Sequence, residues 1–173
     1  IVNHYEETQL VEIFKEYGEE RFAKRIAGNI CKTRVLKEIE TTFELSEIVK
    51  KSIPFSREKK HPATRVFQAI RIEVNQEMNE LSMALPLLFD ALKNKGRFAV
   101  LTFHSLEDRI VKNYFKQLTR PPADNIPKFI PIKDKDIDQE TSAISICSKA
   151  PSDNEIKRNP RSRSARLRVI EKK

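Results

Sequence analysis

The sequence predicts an α/β fold with a helical N-terminal part. Three observations predict it. The first 55 or so residues carry only helical apolar periods. Arg97–Phe103, RFAVLTF, is a nearly continuous apolar run without Pro or internal Gly, the pattern of a buried strand. A helical pattern ending at Asn94-Lys95-Gly96 precedes it and another follows it. Helix, glycine turn and apolar strand in this order are the parts of a parallel sheet covered on both faces.

In chain order, Leu10, Val11, Ile13, Phe14 and Tyr17 mark a first helix, which Thr8 is placed to cap and Gly18 to end in a left-handed conformation. A second helix is expected from about Glu19 to Lys32, with Phe22, Ala23, Ile26 and Ile30 as its apolar stripe. Thr41 and Glu44 have capping-box spacing for a third, which Pro54 stops. Three short helices make a thin core, so this part must lean on something else. Ser56–Lys60, SREKK, reads as a linker. His61–Glu80 then reads as one long helix with Pro62 in its first position and Val66, Ile70, Val74 and Met78 on its buried face. A further helix is entered near Pro86. After the strand, Leu106–Leu118 forms a helix, residues 119–141 a Pro-rich loop, Ala143–Lys149 a strand and Ala165–Ile170 a final strand.

With 173 residues the chain fits one ordinary domain or two small ones. Its 33 Lys plus Arg against 25 Asp plus Glu give +8, which favours a polyanionic partner, with nucleic acid or an anionic membrane as the leading candidates. Cys31 and Cys147 are far apart in sequence and imply neither a disulfide framework nor a metal site, which fits a reducing, cytoplasmic setting. No apolar run approaches the roughly 20 residues of a membrane span. The three glycines, Gly18, Gly28 and Gly96, cannot build a Gly-rich nucleotide loop, and no zinc-protease, C-x-x-C, kinase or hydrolase signature is present.

Two stretches could carry chemistry. His104 and Ser105 follow the apolar strand at its carboxyl end, where α/β sheets bind ligands. Ser105 and Asp108 have the spacing of a capping box and are assigned to it. His104 is a candidate for the rim of a pocket, as a contact to a base or phosphate or as a hydrogen-bonded rim residue. Lys157–Arg168, KRNPRSRSARLR, holds Arg158, Arg161, Arg163, Arg166 and Arg168, suited to a nucleic-acid backbone; the alternative is a solvated, flexible tail. Arg65 and Arg71 are further candidates for a nucleic-acid backbone, or they pair with carboxylates.

Four blocks in fixed order carry a resemblance: YGEERFAKRIA (Tyr17–Ala27), HPATRVFQAIRIEVN (His61–Asn75), FHSLEDRIVK (Phe103–Lys112) and NPRSRSARLRV (Asn159–Val169). Together they resemble the MraW-type family, S-adenosylmethionine-dependent methyltransferases of small-subunit ribosomal RNA. The resemblance implies methyl transfer to the N4 amine of a cytosine, without a metal, by a Rossmann-like catalytic domain interrupted by a helical insertion. Residues 1–58 would be part of that insertion, and 59–173 the C-terminal part of the catalytic domain. His104 would border the base pocket, and Arg65, Arg71, Arg158, Arg161, Arg163 and Arg166 would face RNA.

The family's Gly-rich cofactor loop and acidic ribose-binding residue have no counterpart here, so the resemblance assigns no cofactor-binding residue to this chain and implies a C-terminal fragment, inactive alone. A sheet lacking its first strands would expose apolar surface and invite a homodimer. The competing readings are a non-catalytic RNA-binding or ribosome-associated module and a structural dimerisation domain.

Overall fold

The computed structural model describes residues 1–54, 61–120 and 141–173. The linker expected at Ser56–Lys60 and most of the Pro-rich loop lie outside the described residues. The chain divides into two compact units, Ile1–Glu77 and Met78–Lys173.

The first unit holds α1 (Glu7–Glu16), α2 (Ala23–Leu36), α3 (Thr42–Ser52) and α4 (Thr64–Asn75). Leu10 and Phe14 of α1, Ile26 and Ile30 of α2, Val49 of α3 and Val66 of α4 are fully buried in one core. The three short helices lean on α4. This is why the division falls after Glu77, not near 58. The Thr41–Glu44 capping box forms as the spacing predicts, with each side chain accepting the other residue's backbone N–H at 3.1 Å. A hydrogen bond from Lys37 Nζ and the backbone amides of Glu40 and Thr41 bring the Glu44 carboxyl down to about 2.

The start of α1 is different from the expectation. Glu6, not Thr8, is the N-cap, and Gln9 Oε1 accepts the Glu6 amide at 2.9 Å. Gly18 does not adopt positive φ; Glu19 does, at 48°. The helix end turns instead through Glu20, which is buried, donates its amide to Phe14 O and accepts the Phe22 amide with its carboxylate. This turn delays α2 to Ala23. Gly18 serves close approach: a Cβ there would lie 2.7 Å from Phe14 O and 2.8 Å from Arg65 O, both backbone atoms.

The single helix expected over His61–Glu80 is broken. Gln76 is left-handed (φ 52°), and its side-chain amide donates to Glu73 O at 2.7 Å, so α4 ends at Asn75. Its buried residues are Val66, Ala69 and Ile72; Ile70 is half-buried and Val74 is 64% exposed. The apolar stripe thus follows spacing three, and the every-fourth-residue row drifts off the core face. At the other end, His61 closes the entry turn: its Nδ1 accepts the Ala63 amide and its carbonyl accepts the Thr64 hydroxyl.

The second unit contains α5 (Glu77–Asp90), β1 (Arg97–Thr102), α6 (Ser105–Thr119), β2 (Ala143–Lys149), α7 (Asp153–Arg158), a 3-10 helix (Pro160–Ser164) and β3 (Arg166–Lys172). Pro86 lies inside α5 and does not begin it. Leu81, Leu85 and Phe89 at spacing four give α5 a continuous apolar face that tolerates the one lost amide.

The sheet order is β1-β3-β2, and β3 pairs antiparallel with both neighbours. The expectation of parallel neighbours therefore fails for the described strands, although β1 and β2, both opposed to β3, run parallel to each other. The final strand returns between them, so the β1–α6–β2 crossover leaves a slot that β3 fills. One face of the sheet packs on α5 and α6 through Phe98, Val100, Ile170, Leu85, Phe89, Val111 and Phe115. The other face leaves Leu101 55% and Ile144 48% exposed. The apolar strand is covered on one side, not two. No helix among the described residues is long and apolar enough to cross a membrane.

Replacing Gly18 by Ala should force α1 and α4 apart and destabilise the protein by about 1–3 kcal/mol. Denaturant unfolding followed by helical circular dichroism reads this; an unchanged midpoint would refute the close-approach role.

Candidate nucleic-acid interface

β1 delivers the chain to Phe103 and His104, and α6 starts at once. His104 is the N-cap: its Nδ1 accepts the Glu107 amide at 3.4 Å. Glu107 Oε2 reaches back to the amides of Phe103 (2.8 Å) and His104 (3.3 Å). The capping box thus sits one residue earlier than the Ser105–Asp108 pair that the sequence suggests, because an imidazole also supplies an acceptor at the cap. Burial pushes the Glu107 carboxyl up, but the adjacent His104 imidazole and the hydrogen bonds from the two amides outweigh it and hold it below its ordinary value. His104 Nε2 is buried and lies 3.2 Å from Glu107 Oε1, yet it makes no hydrogen bond among the described residues.

Asp108, released from capping, takes Arg168. The guanidinium donates twice, Nε to Oδ1 at 2.7 Å and Nη2 to Oδ2 at 2.8 Å. Both side chains are about four-fifths buried, at 18% and 21% exposed. The hydrogen bond from Arg168 is the main cause that holds the Asp108 carboxyl below the usual range. Arg168, grouped with the phosphate-gripping arginines by sequence, therefore ties β3 to α6.

The rest of KRNPRSRSARLR is ordered secondary structure, not a tail. Ser152 caps α7 by accepting the Glu155 amide. Asn159 Oδ1 accepts the Arg161 amide at 3.2 Å, Pro160 opens the 3-10 helix, and the Ser162 hydroxyl donates to Asn159 O at 2.8 Å. Ser162 and Ala165 are buried, which turns Arg161 and Arg163 outward; Arg158 and Arg166 are exposed as well. Four guanidinium groups are thus presented from a backbone already fixed, an arrangement that suits anionic oxygens.

Arg65 and Arg71 belong to the first unit. Arg71 is bidentate on Glu77, at 2.8 and 3.0 Å. Arg65 Nη1 lies 3.9 Å from the buried carboxylate of Glu20. Both follow the carboxylate-pairing alternative. Sequence reasoning missed His61 and His104 as turn and cap residues; an imidazole one to three residues ahead of a helical pattern was the available signal.

The described residues do not suit an adenosyl cofactor. Of their two strand-to-helix turns, Phe103–His104 has its amides taken by Glu107 and the turn from β2 into α7 is capped by Ser152, and none of the three glycines lies in either. Gly18 and Gly96 are fitted to backbone carbonyls, and Gly28 is inside α2.

A mixed α/β unit with an exposed arginine cluster defines a candidate RNA-facing module. The chain matches the MraW methylase family over residues 1–173 and belongs to it. It is 50% identical over 99% of its length to a ribosomal RNA small subunit methyltransferase H of Legionella pneumophila (strain Corby), covering 54% of that protein. It is 51% identical over 90% of its length to the protein of the same name from Coxiella burnetii (strain Dugway 5J108-111), covering 50% of it. The chain spans about half the length of these curated relatives.

Two outcomes test the structural roles. Asp108→Asn should cost about 2 kcal/mol at pH 7, because Arg168 loses its charged acceptor. Asp108 has a depressed folded value, so its contribution is complete above the unfolded value of about 3.9 and is lost as pH falls through the folded one. The variant should therefore lose less stability on acidification below pH 4, as read by urea unfolding at pH 7 and pH 3. His104→Ala should cost about 1 kcal/mol and His104→Asn should restore most of it, since Asn supplies an N-cap acceptor.

Proposed function

We propose that the chain is the C-terminal part of an enzyme that transfers a methyl group from S-adenosylmethionine to the N4 amine of a cytosine in small-subunit ribosomal RNA, in the cytoplasm. The observation that carries the reading is the family match over the whole chain, joined by relatives at about half identity. The first unit would belong to the helical insertion that recognises substrate and the second to a Rossmann-like catalytic domain. Parallel β1 and β2 linked through α6, which lies on one face of the sheet, support that assignment. The uncovered apolar sheet face fits a domain whose remaining elements pack there; in the isolated chain it would bring two copies together.

The cytosine amine is a poor nucleophile, because its lone pair is delocalised into the ring. Its activation rests on positioning and on polar groups that favour charge developing at N4. A stacked base must also be drawn out to be reached. The contribution of this chain would be to hold RNA: Arg158, Arg161, Arg163 and Arg166 grip backbone phosphates. His104 at the end of β1 would border the base pocket while capping α6. Arg65 and Arg71 would contribute only by exchanging their carboxylate partners for phosphate. A non-catalytic RNA-binding module is the second reading, favoured by the exposed arginines beside residues that suit no adenosyl group.

In the full-length protein, Arg161→Ala with Arg163→Ala should weaken rRNA binding about tenfold and lower its salt slope by about 1–2. Unchanged affinity and slope would remove these arginines from the interface. Calorimetric titration with S-adenosylmethionine should give binding to the full-length protein and none to this chain; no binding to either would favour the non-catalytic module.

A further inference from the structure

Beside α6 runs a cleft of about 400 Å³ that the arginine cluster does not line. One wall is the outer half of α6. Lys112 and Lys116 stand there on one helix face with Arg120 just past the helix end, and all three are exposed. The other wall is β2, with Ser145, Cys147 and Ser148. No lining residue is acidic, and no ion pair to Lys112, Lys116 or Arg120 is made among the described residues.

The serine wall is built by a bulge. Ser145 and Ser148 are three residues apart, so strict alternation would put them on opposite faces. The register shifts between Ser145 and Cys147, so that Ser145 opposes Ile170 while Ser148 opposes Arg168. Those partners are two apart and share the inward face. Both hydroxyls are thereby brought to the α6 side, and Arg168 Nη1 donates to Ser148 Oγ at 3.0 Å. Bulges recur where a sheet re-aims side chains toward a site. Attraction of cations to the carboxyl end of a helix accounts for Lys116 and Arg120 at most; it does not reach Lys112 or place the serines opposite.

We infer that this cleft binds the phosphodiester backbone of RNA, as a second gripping surface distinct from Arg158–Arg166. It rests on the reading that RNA is the substrate. The ammonium and guanidinium groups neutralise successive phosphates along the helix, and the hydroxyls of β2 hydrogen-bond phosphate or ribose oxygens. The four residues from Lys112 to Lys116 rise about 6 Å along the helix, which follows the step between phosphates of an extended strand.

The test uses this chain and a single-stranded RNA of about 20 nucleotides as the probe, with binding followed by fluorescence anisotropy with and without 10 mM inorganic phosphate at constant ionic strength. RNA should bind equally in both. Lys112→Gln with Lys116→Gln and Arg120→Gln, all exposed changes with the fold checked by circular dichroism, should lower RNA affinity about tenfold and reduce the salt slope by about 2, from three contacts at about 0.7 each. Release of the RNA by phosphate would make this a small-anion site and overturn the proposal. Unaltered affinity and slope in the triple variant would overturn it too. If RNA binds and depends on the cleft but the full-length protein transfers no methyl group, the enzymatic reading fails and this inference stands.

Discussion

Strand β3 holds the second unit together. It is the hydrogen-bonding partner of both β1 and β2, and its inward side chains, at every second position, each fasten a different element. Arg168 takes Asp108 at the start of α6. Ile170 enters the core beside Phe89 and Phe115. Lys172 donates to the carbonyls of Phe89, Asp90 and Leu92, closing the end of α5, and its ammonium lies 5.2 Å from the Phe89 ring. The alternation of a strand thus does three jobs on one face: an ion pair at one end, packing in the middle and a helix cap at the other.

That constraint explains why the basic segment divides as it does. Residues ahead of β3 are pinned by the strand that follows and by the Asn159 and Ser162 hydrogen bonds. The small residues Ser162 and Ala165 point inward, so Arg161 and Arg163 are turned to solvent. Arg168 differs because it lies in the strand with its side chain toward α6, where a carboxylate waits. Six cationic residues in twelve therefore do not form one uniform surface. Five are exposed, and one is spent on the fold.

The local grammar of the chain was largely legible. The Thr41–Glu44 box, the bounds of β2 and the helical period of α6 follow from residues a few positions apart. What was not legible depends on distant partners. The buried face of α4 was read as Val66, Ile70, Val74 and Met78, but Gln76 turns left-handed and close approach at Gly18 selects Ala69. The parallel neighbours inferred from RFAVLTF were wrong because an apolar run reports burial, not direction, and β3 comes from 60 residues away to separate β1 from β2. The capping role of His104 was hidden by a stronger textual signal at Ser105 and Asp108. Proximity to Arg168, which no spacing encodes, decides that Asp108 goes elsewhere. The candidate arginines were readable as a cluster. The cleft of α6 and β2 was not, since its two walls lie far apart in sequence and its serine wall needs a bulge.

The two faces of the small sheet now carry different demands. The face toward α5 and α6 is finished: its apolar residues are packed, its ion pair is satisfied and its rim is cationic. The opposite face offers Leu101 and Ile144 to solvent, with the Arg97–Glu171 ion pair at one end of it. Burying such residues is worth about 1.5–3 kcal/mol each, so the open face is where the stability of the sheet is least complete. A polyanion cannot satisfy these two side chains, because phosphate needs donors and they supply aliphatic carbon. RNA and the apolar packing partner must therefore approach from opposite sides of the sheet, and gripping RNA along α6 would leave the open face available to the rest of the fold.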